Sequence, residues 1–217
     1  MATKTIEPPK HGFLILLLSF LCLLVVYPLT AGHDSNAYLI RSFFSLLLVV
    51  SLYLFTYNRS WFIAAIVLFI PSIIFDWLGL VYPGITFNFL AHLFSLLYVA
   101  LAICGFRCLI FSSLKITTDT VLGTICIYLL IGVFYFQIYS MIDLFSTDAF
   151  IGTFAANKEE ELLYYSYVSL TTLGFGEIVA KSLPAKFISI LEAITGQLYI
   201  AIVIARIIAV YVKQEKS

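Results

Sequence analysis

Charged residues are scarce in this sequence: Lys, Arg, Asp and Glu together make up 11% of its 217 residues. Soluble globular proteins average about 25%, so the scarcity excludes a chain built mainly of soluble domains. The twelve basic and twelve acidic residues give a net charge of +0, which provides no basic field for nucleic acid. Apolar residues instead make up 62% of the chain, and the mean hydropathy is +1.06. We therefore expect an all-α protein that crosses a membrane several times.

Cysteine and histidine are also scarce, with four and three residues. All four cysteines lie in apolar segments, which indicates reduced packing residues rather than a disulfide framework. Cys104 and Cys108 are one helical turn apart, but no histidine or carboxylate lies near them in sequence to complete a metal site. Glu192, Asp76 and His92 lie in separate segments, without the spacing of known catalytic motifs. An intramembrane enzyme is therefore a weak hypothesis, and we expect no cofactor and no resident metal.

Six apolar runs are long enough to cross a bilayer, which takes about 20 residues. They cover residues 12–31, 37–56, 61–82, 85–111, 120–144 and 184–212. The first run has an acceptable signal-peptide cleavage site at its end. It is longer than the apolar core of such peptides, however, which favours a retained helix. Cytoplasmic loops carry an excess of lysine and arginine. If the chain has six spans, six lysine and arginine residues between or beside the spans fall on one side. These residues are Lys4, Lys10, Arg59, Lys115, Lys213 and Lys216. Both termini are therefore predicted to be cytoplasmic.

The first four spans contain isolated polar residues rather than an arginine ladder. The fourth span carries Arg107 alone, near its cytoplasmic end, whereas a voltage sensor needs several arginines that move through the field. We therefore interpret Arg107 as an interfacial residue and expect no strong voltage gating. Arg41 and Asp76 have similar predicted depths and are expected to form an ion pair. A proton or ion path through these helices, including His92, is the alternative.

The connection between the last two spans is about forty residues long and has its own pattern. Asn157 and Glu160 have capping-box spacing, which predicts a helix start. The helix that follows, over residues 162–171, is too short to cross a bilayer. Residues 171–177 then read Thr-Thr-Leu-Gly-Phe-Gly-Glu. Alternating glycines let successive carbonyls point the same way, as a binding site for a monovalent cation requires. The last helix is predicted to begin at Pro184.

This order of elements resembles the pore of the potassium channel superfamily, whose signature is usually written T-T-V-G-Y-G-D. The resemblance covers residues 117–212 and is closest to small bacterial six-helix channels with one pore loop per subunit. It implies a selectivity filter whose backbone binds dehydrated K⁺. The filter residues would be Thr172, Leu173, Gly174, Phe175 and Gly176, with K⁺ at the carbonyls of the first four. Permeant K⁺ is then the only ion or cofactor expected.

The same resemblance assigns supporting roles to neighbouring residues. Tyr164, Tyr165 and Thr171 would support the filter, and Glu177 would lie at its outer mouth. Gly196 lies near the middle of the last helix and is a candidate hinge. Four small or branched residues beyond it are candidates for an inner cavity and gate, although ordinary helix packing explains them equally well. These residues are Ala201, Ile204, Ala205 and Ile208.

The predicted organisation is a cytoplasmic N-terminus (1–11), a four-helix bundle (12–113) and a pore domain (114–217). The resemblance implies a homotetramer, because one filter per chain requires three further identical subunits. The tetramer is expected in the lipid bilayer of a cell membrane, with the bacterial inner membrane as the expected location. Nucleic acid is not an expected partner, and no accessory subunit is identified. The predicted function is a K⁺-selective channel. A weakly selective K⁺/Na⁺ channel and a non-conducting regulatory subunit remain alternatives.

Overall fold

The chain is almost entirely helical in a computed structural model, which describes residues 9, 11–30, 36–111, 117–146, 148–152 and 158–215. Within these residues it forms seven α-helices, one short 3₁₀ turn and a two-stranded antiparallel ribbon. The helices are α1 (Gly12–Thr30), α2 (Asn36–Leu54), α3 (Arg59–Val81), α4 (Ile85–Phe111), α5 (Thr118–Phe145), α6 (Lys158–Leu170) and α7 (Leu183–Glu215). The strands are β1 (Phe150–Gly152) and β2 (Ile178–Ala180), and the 3₁₀ turn is Phe55–Tyr57.

Four helices of the described part are long and apolar enough to cross a membrane: α3, α4, α5 and α7. The several long apolar helices confirm the predicted class of an all-α membrane protein. The bounds of α4 agree with the predicted span over residues 85–111. The segment predicted as one span over 37–56 instead ends its α-helix at Leu54 and continues as the 3₁₀ turn. That α1 and α2 cross the membrane stays a prediction.

Side-chain caps explain where three of the helices begin. The Asn58 side chain accepts a hydrogen bond from the Ser60 backbone N–H at 2.9 Å, so α3 begins two residues before the prediction. Thr117 and Thr120 form a reciprocal capping box at the start of α5. The Ser182 side chain accepts from the Ala185 N–H at 3.3 Å, which places the start of α7 one residue before Pro184. The predicted cap at residue 157 lies outside the described residues.

Helix α5 lies at the centre of the fold, where it contacts α1, α4, α6 and α7. Its buried face includes Ile127, Leu130, Phe136 and Tyr139. The other helices of the first half pack mainly in sequence order, α1 on α2, α2 on α3 and α3 on α4. Helix α5 thus connects the first four helices to α6 and α7.

Three of the isolated polar residues of the first four helices, Arg41, Asp76 and His92, have polar partners on neighbouring helices. Arg41 Nη1 lies 3.1 Å from Asp76 Oδ1, and the same guanidinium contacts the Asp76 backbone carbonyl. This confirms the predicted ion pair between α2 and α3. His92 joins a different group, because its Nδ1 lies 2.6 Å from Gln137 Oε1 on α5. Arg107 is exposed near the end of α4, as expected for a residue at the membrane interface.

Candidate functional site

The backbone between α6 and β2 alternates in conformation from one residue to the next. Thr172, Gly174 and Gly176 have φ angles of 58°, 61° and 83°, while Leu173 and Phe175 are not in this region. Alternation between left- and right-handed conformations turns every second peptide group over, so that successive carbonyls can share one direction. Glycine adopts positive φ without strain, which explains two of the three positions.

Thr172 is the exception, because it adopts a left-handed conformation despite a β-branched side chain. Its N–H donates to the Ser169 carbonyl at 3.0 Å, and the Leu173 N–H donates to the Val168 carbonyl at 3.0 Å. These two bonds form a Schellman motif, whose left-handed residue is usually glycine. A left-handed conformation costs an L-residue about 1–2 kcal/mol. The end of α6 therefore imposes the conformation with which the alternating segment begins.

A residue of α7 forms a hydrogen bond with the Thr172 side chain. Gln197 Nε2 donates to Thr172 Oγ1 at 3.0 Å. Gln197 was not predicted as a site residue. A polar residue directly after a glycine in an apolar helix is the pattern that could have indicated it. The contact ties the first residue of the segment to the middle of the last helix.

Gly196 lies where α7 crosses the C-terminal end of α6. A Cβ atom at this position would lie less than 3.0 Å from the Leu170 carbonyl oxygen. The absence of a side chain therefore allows the two backbones to approach each other. This close packing accounts for the glycine independently of the predicted hinge, which stays a prediction.

A set of hydrogen bonds holds α6 between α5 and α7. Tyr167 Oη donates to the Leu129 carbonyl at 3.1 Å, and Tyr128 Oη donates to the Leu170 carbonyl at 3.3 Å. Gly132 leaves space for the Tyr167 ring, which would otherwise lie 2.5 Å from a Cβ. Glu192 is fully buried in the same region and contacts Tyr139 and Ser166 of the same chain. Both hydrogen bonds of Glu192 lie within one chain.

The two tyrosines predicted to support the filter have different surroundings. Tyr164 Oη donates to Glu177 Oε2 at 3.2 Å. Tyr165 is buried, and its Oη lies 2.6 Å from Ser189 Oγ on α7. Its ring packs edge-on against Tyr139. Tyr164 thus contacts the residue at the end of the alternating segment, while Tyr165 packs between α5 and α7.

The segment is followed by a short two-stranded ribbon. Strands β1 and β2 pair in antiparallel register, with Ile151 opposite Val179. Lys181 Nζ lies 2.6 Å from Asp148 Oδ2 beside the ribbon. The hydrogen bond from Lys181 and its charge lower the pKa of the Asp148 carboxyl group. Both side chains are exposed, so the pair contributes little to stability.

Large apolar side chains of the site remain exposed in the single chain. Leu173 and Phe175 expose 61% and 63% of their surface, so α6 of the same chain does not cover them. The candidate gate residues Ile204 and Ile208 expose 52% and 58%, and Ala201 and Ala205 are exposed as well. Apolar surface of this extent needs lipid or another protein chain to cover it.

A comparison with known protein families finds a match for the part of the chain that contains the last three helices. Residues 123–213 match the protein-family model described as "Ion channel". The match begins within α5, includes the alternating segment and ends within α7, while α1 to α4 lie outside it. No curated protein and no solved structure matches the chain. Together with the long apolar helices, the match supports an ion channel that is embedded in a membrane and points away from an enzyme.

Proposed function

We propose that this chain is one subunit of a K⁺-selective channel whose filter is residues 172–176. The observation that carries the proposal is the alternation of φ at Thr172, Gly174 and Gly176, directly after the end of α6. Carbonyls that point in one direction replace the hydration shell of K⁺ without a charged ligand. The Thr172 hydroxyl group adds the innermost ligand, and Glu177 lies at the outer mouth.

Six helices cross the membrane in this proposal, and α6 enters it only partway. The 13 residues of α6 extend about 20 Å, which is shorter than the hydrocarbon core of about 30 Å. Its C-terminal end leads directly into the filter, and the negative end of the helix dipole favours a cation there. Non-helical backbone at this depth is tolerated where it lines a watery path or is buried in protein. Both termini then lie in the cytoplasm of a cell, with the bacterial inner membrane as the proposed location.

Four identical chains surround the ion path. One chain contributes one filter segment, which cannot encircle an ion by itself, and a closed cyclic assembly supplies the other three. The exposed Leu173 and Phe175 side chains support this arrangement, because neighbouring subunits would cover them. The exposed residues Ala201, Ile204, Ala205 and Ile208 would line the inner cavity and gate.

The proposal is tested by ion flux into liposomes that contain the purified protein. We expect K⁺ flux well above Na⁺ flux, with protein-free liposomes as the control. Equal K⁺ and Na⁺ flux would replace the proposal with a weakly selective channel. Absence of flux from a correctly assembled tetramer would indicate a non-conducting subunit.

Replacing Gln197 with methionine is expected to reduce the K⁺/Na⁺ flux ratio. Methionine has a similar length but cannot donate to Thr172 Oγ1. A neutral hydrogen bond contributes about 0.5–1.5 kcal/mol, which corresponds to roughly a two- to tenfold change in the ratio. The matched control is Leu198→Met, because Leu198 is the exposed neighbouring residue. An unchanged ratio in Gln197→Met would show that the Thr172 contact does not set selectivity.

A further inference from the structure

Glu192 is a buried carboxyl group that the proposed conduction pathway does not use. It lies on α7, and none of its surface is exposed. Tyr139 Oη of α5 donates to Glu192 Oε2 at 2.5 Å. Ser166 Oγ of α6 lies 2.6 Å from Glu192 Oε1 and 2.7 Å from the Gly132 carbonyl oxygen of α5. One side chain thus joins the three helices that carry and enclose the filter.

The three short contacts around Glu192 outnumber the hydroxyl protons that can form them. The Tyr139 and Ser166 hydroxyl groups together provide two protons for three short contacts. The Gly132 carbonyl has no proton to give, so the Ser166 proton is the only one available for that contact. When Ser166 donates to Gly132, its contact with Glu192 needs a proton from the carboxyl group. All three contacts are therefore complete hydrogen bonds only if Glu192 is protonated.

The surroundings of Glu192 also favour a neutral carboxyl group. Among the residues that the structure describes, the titratable side chains that face it from the packed helices are Tyr128 and Tyr139 of α5 and Tyr167 of α6. Tyr165 of α6 lies beside Tyr139. These phenols are uncharged near neutral pH in their ordinary state, so none of them is a counter-ion. A buried carboxylate without a counter-ion is costly, and such a group takes up a proton instead.

We propose that Glu192 is a positioning residue that carries a proton and donates it to Ser166. Through this hydrogen bond and the bond from Tyr139, it holds α6 at a fixed position between α5 and α7. The end of α6 imposes the left-handed conformation of Thr172, so the position of α6 determines where the filter begins. Loss of the proton removes the donor to Ser166 and leaves a buried charge, which displaces α6. The inference about the protonation state rests on contacts within one chain and not on conduction, whereas its effect on ion selectivity rests on the proposed channel function.

Infrared difference spectroscopy tests the protonation state without any measurement of conduction. The spectrum of Glu192→Gln is subtracted from that of the wild-type protein at neutral pH. We expect the C=O stretching band of a protonated carboxyl group, at higher frequency than carboxylate bands and shifted in D₂O. Carboxylate bands in its place would overturn the proposal, and Ser166 would then share its single proton between two acceptors.

Flux as a function of pH tests the positioning role. Glutamine has the shape of protonated glutamic acid, accepts from Tyr139 and donates to Ser166, but it does not ionise. We expect the wild-type K⁺/Na⁺ ratio to fall at alkaline pH, while Glu192→Gln keeps the neutral-pH ratio throughout. The four tyrosines are retained in Glu192→Gln, so a fall that persists in this variant would come from them and would overturn the role.

A second pair of variants separates positioning from folding. We expect Glu192→Ala to lose selectivity at every pH. Ser166→Ala should lose part of the selectivity and show a weaker pH dependence, because the donor bond is absent while the buried charge still forms. Should Glu192→Ala fail to assemble, Glu192→Gln and Ser166→Ala still decide the matter. A Ser166→Ala variant with the wild-type pH profile would contradict the proposed donor bond. If the wild-type protein does not conduct, the channel proposal fails, and the infrared result still decides whether Glu192 is protonated.

Discussion

Replacing Gly174 with alanine is expected to reduce K⁺ flux by about tenfold or more while the proposed tetramer still assembles. A Cβ at this position would meet no other atom within 4 Å, so steric overlap is not the cause. The cause is the φ angle of 61°, which costs an L-residue about 1–2 kcal/mol. Alanine relaxes towards negative φ, and this turns a filter carbonyl away from the ion. Each lost 1.4 kcal/mol of ion stabilisation corresponds to about tenfold, so flux should fall by about tenfold or more.

The control for this prediction is the same substitution at Gly84. Gly84 has no positive φ, and the nearest atom to its Cβ would be the Tyr82 carbonyl oxygen at 3.9 Å. We expect Gly84→Ala to conduct like the wild-type protein in liposomes. Gly176, with a φ of 83°, should respond like Gly174. Unchanged flux in both Gly174→Ala and Gly176→Ala would refute the assignment of the filter.

Replacing Gly196 with alanine is expected to destabilise the protein. The new Cβ would overlap the carbonyl oxygen of Leu170, which belongs to the backbone of α6 and cannot rotate away. Overpacking of a well-packed contact costs about 1–3 kcal/mol. Thermal unfolding of the detergent-solubilised tetramer, followed by size-exclusion chromatography, should show a lower midpoint than the wild-type protein.

Two further variants identify the cause of this destabilisation. A Cβ on Gly12 would lie 2.6 Å from Leu54 Cδ2, the end of a side chain that can change its rotamer. We therefore expect a smaller effect from Gly12→Ala. Adding Leu170→Ala to Gly196→Ala should not restore stability, because the carbonyl oxygen remains. Full recovery in the double variant would mean that the Leu170 side chain, rather than the backbone, limits the packing.

Local sequence features predict most of the helices and the alternating backbone conformation after α6. The bounds of α4 follow from one uninterrupted apolar run, and the positive φ angles of Gly174 and Gly176 occur where glycines alternate. Boundaries set by side-chain hydrogen bonds are predicted less well, as the Asn58 cap of α3 shows. Hydropathy does not register a single cap, so the start of α3 was placed two residues too late.

Contacts between helices are predicted only where charge requires a partner. The Arg41–Asp76 pair follows from two charges at similar depth, because neither is stable alone in an apolar bundle. Gln197 and Thr172 carry no charge, and no comparable rule brings them together. Gln197 was therefore missed, although its backbone neighbour Gly196 was singled out.

The sequence by itself determined the membrane class of this protein and the location of the alternating segment that we propose as its filter. Both depend on local properties, namely the length of apolar runs and the backbone freedom of glycine. Only the tertiary structure decided what holds that segment in place. Glu192 lies 26 residues from Ser166 and 53 from Tyr139, and Gln197 lies 25 from Thr172. Such contacts arise from the angle and depth at which α5, α6 and α7 cross, which no local pattern encodes.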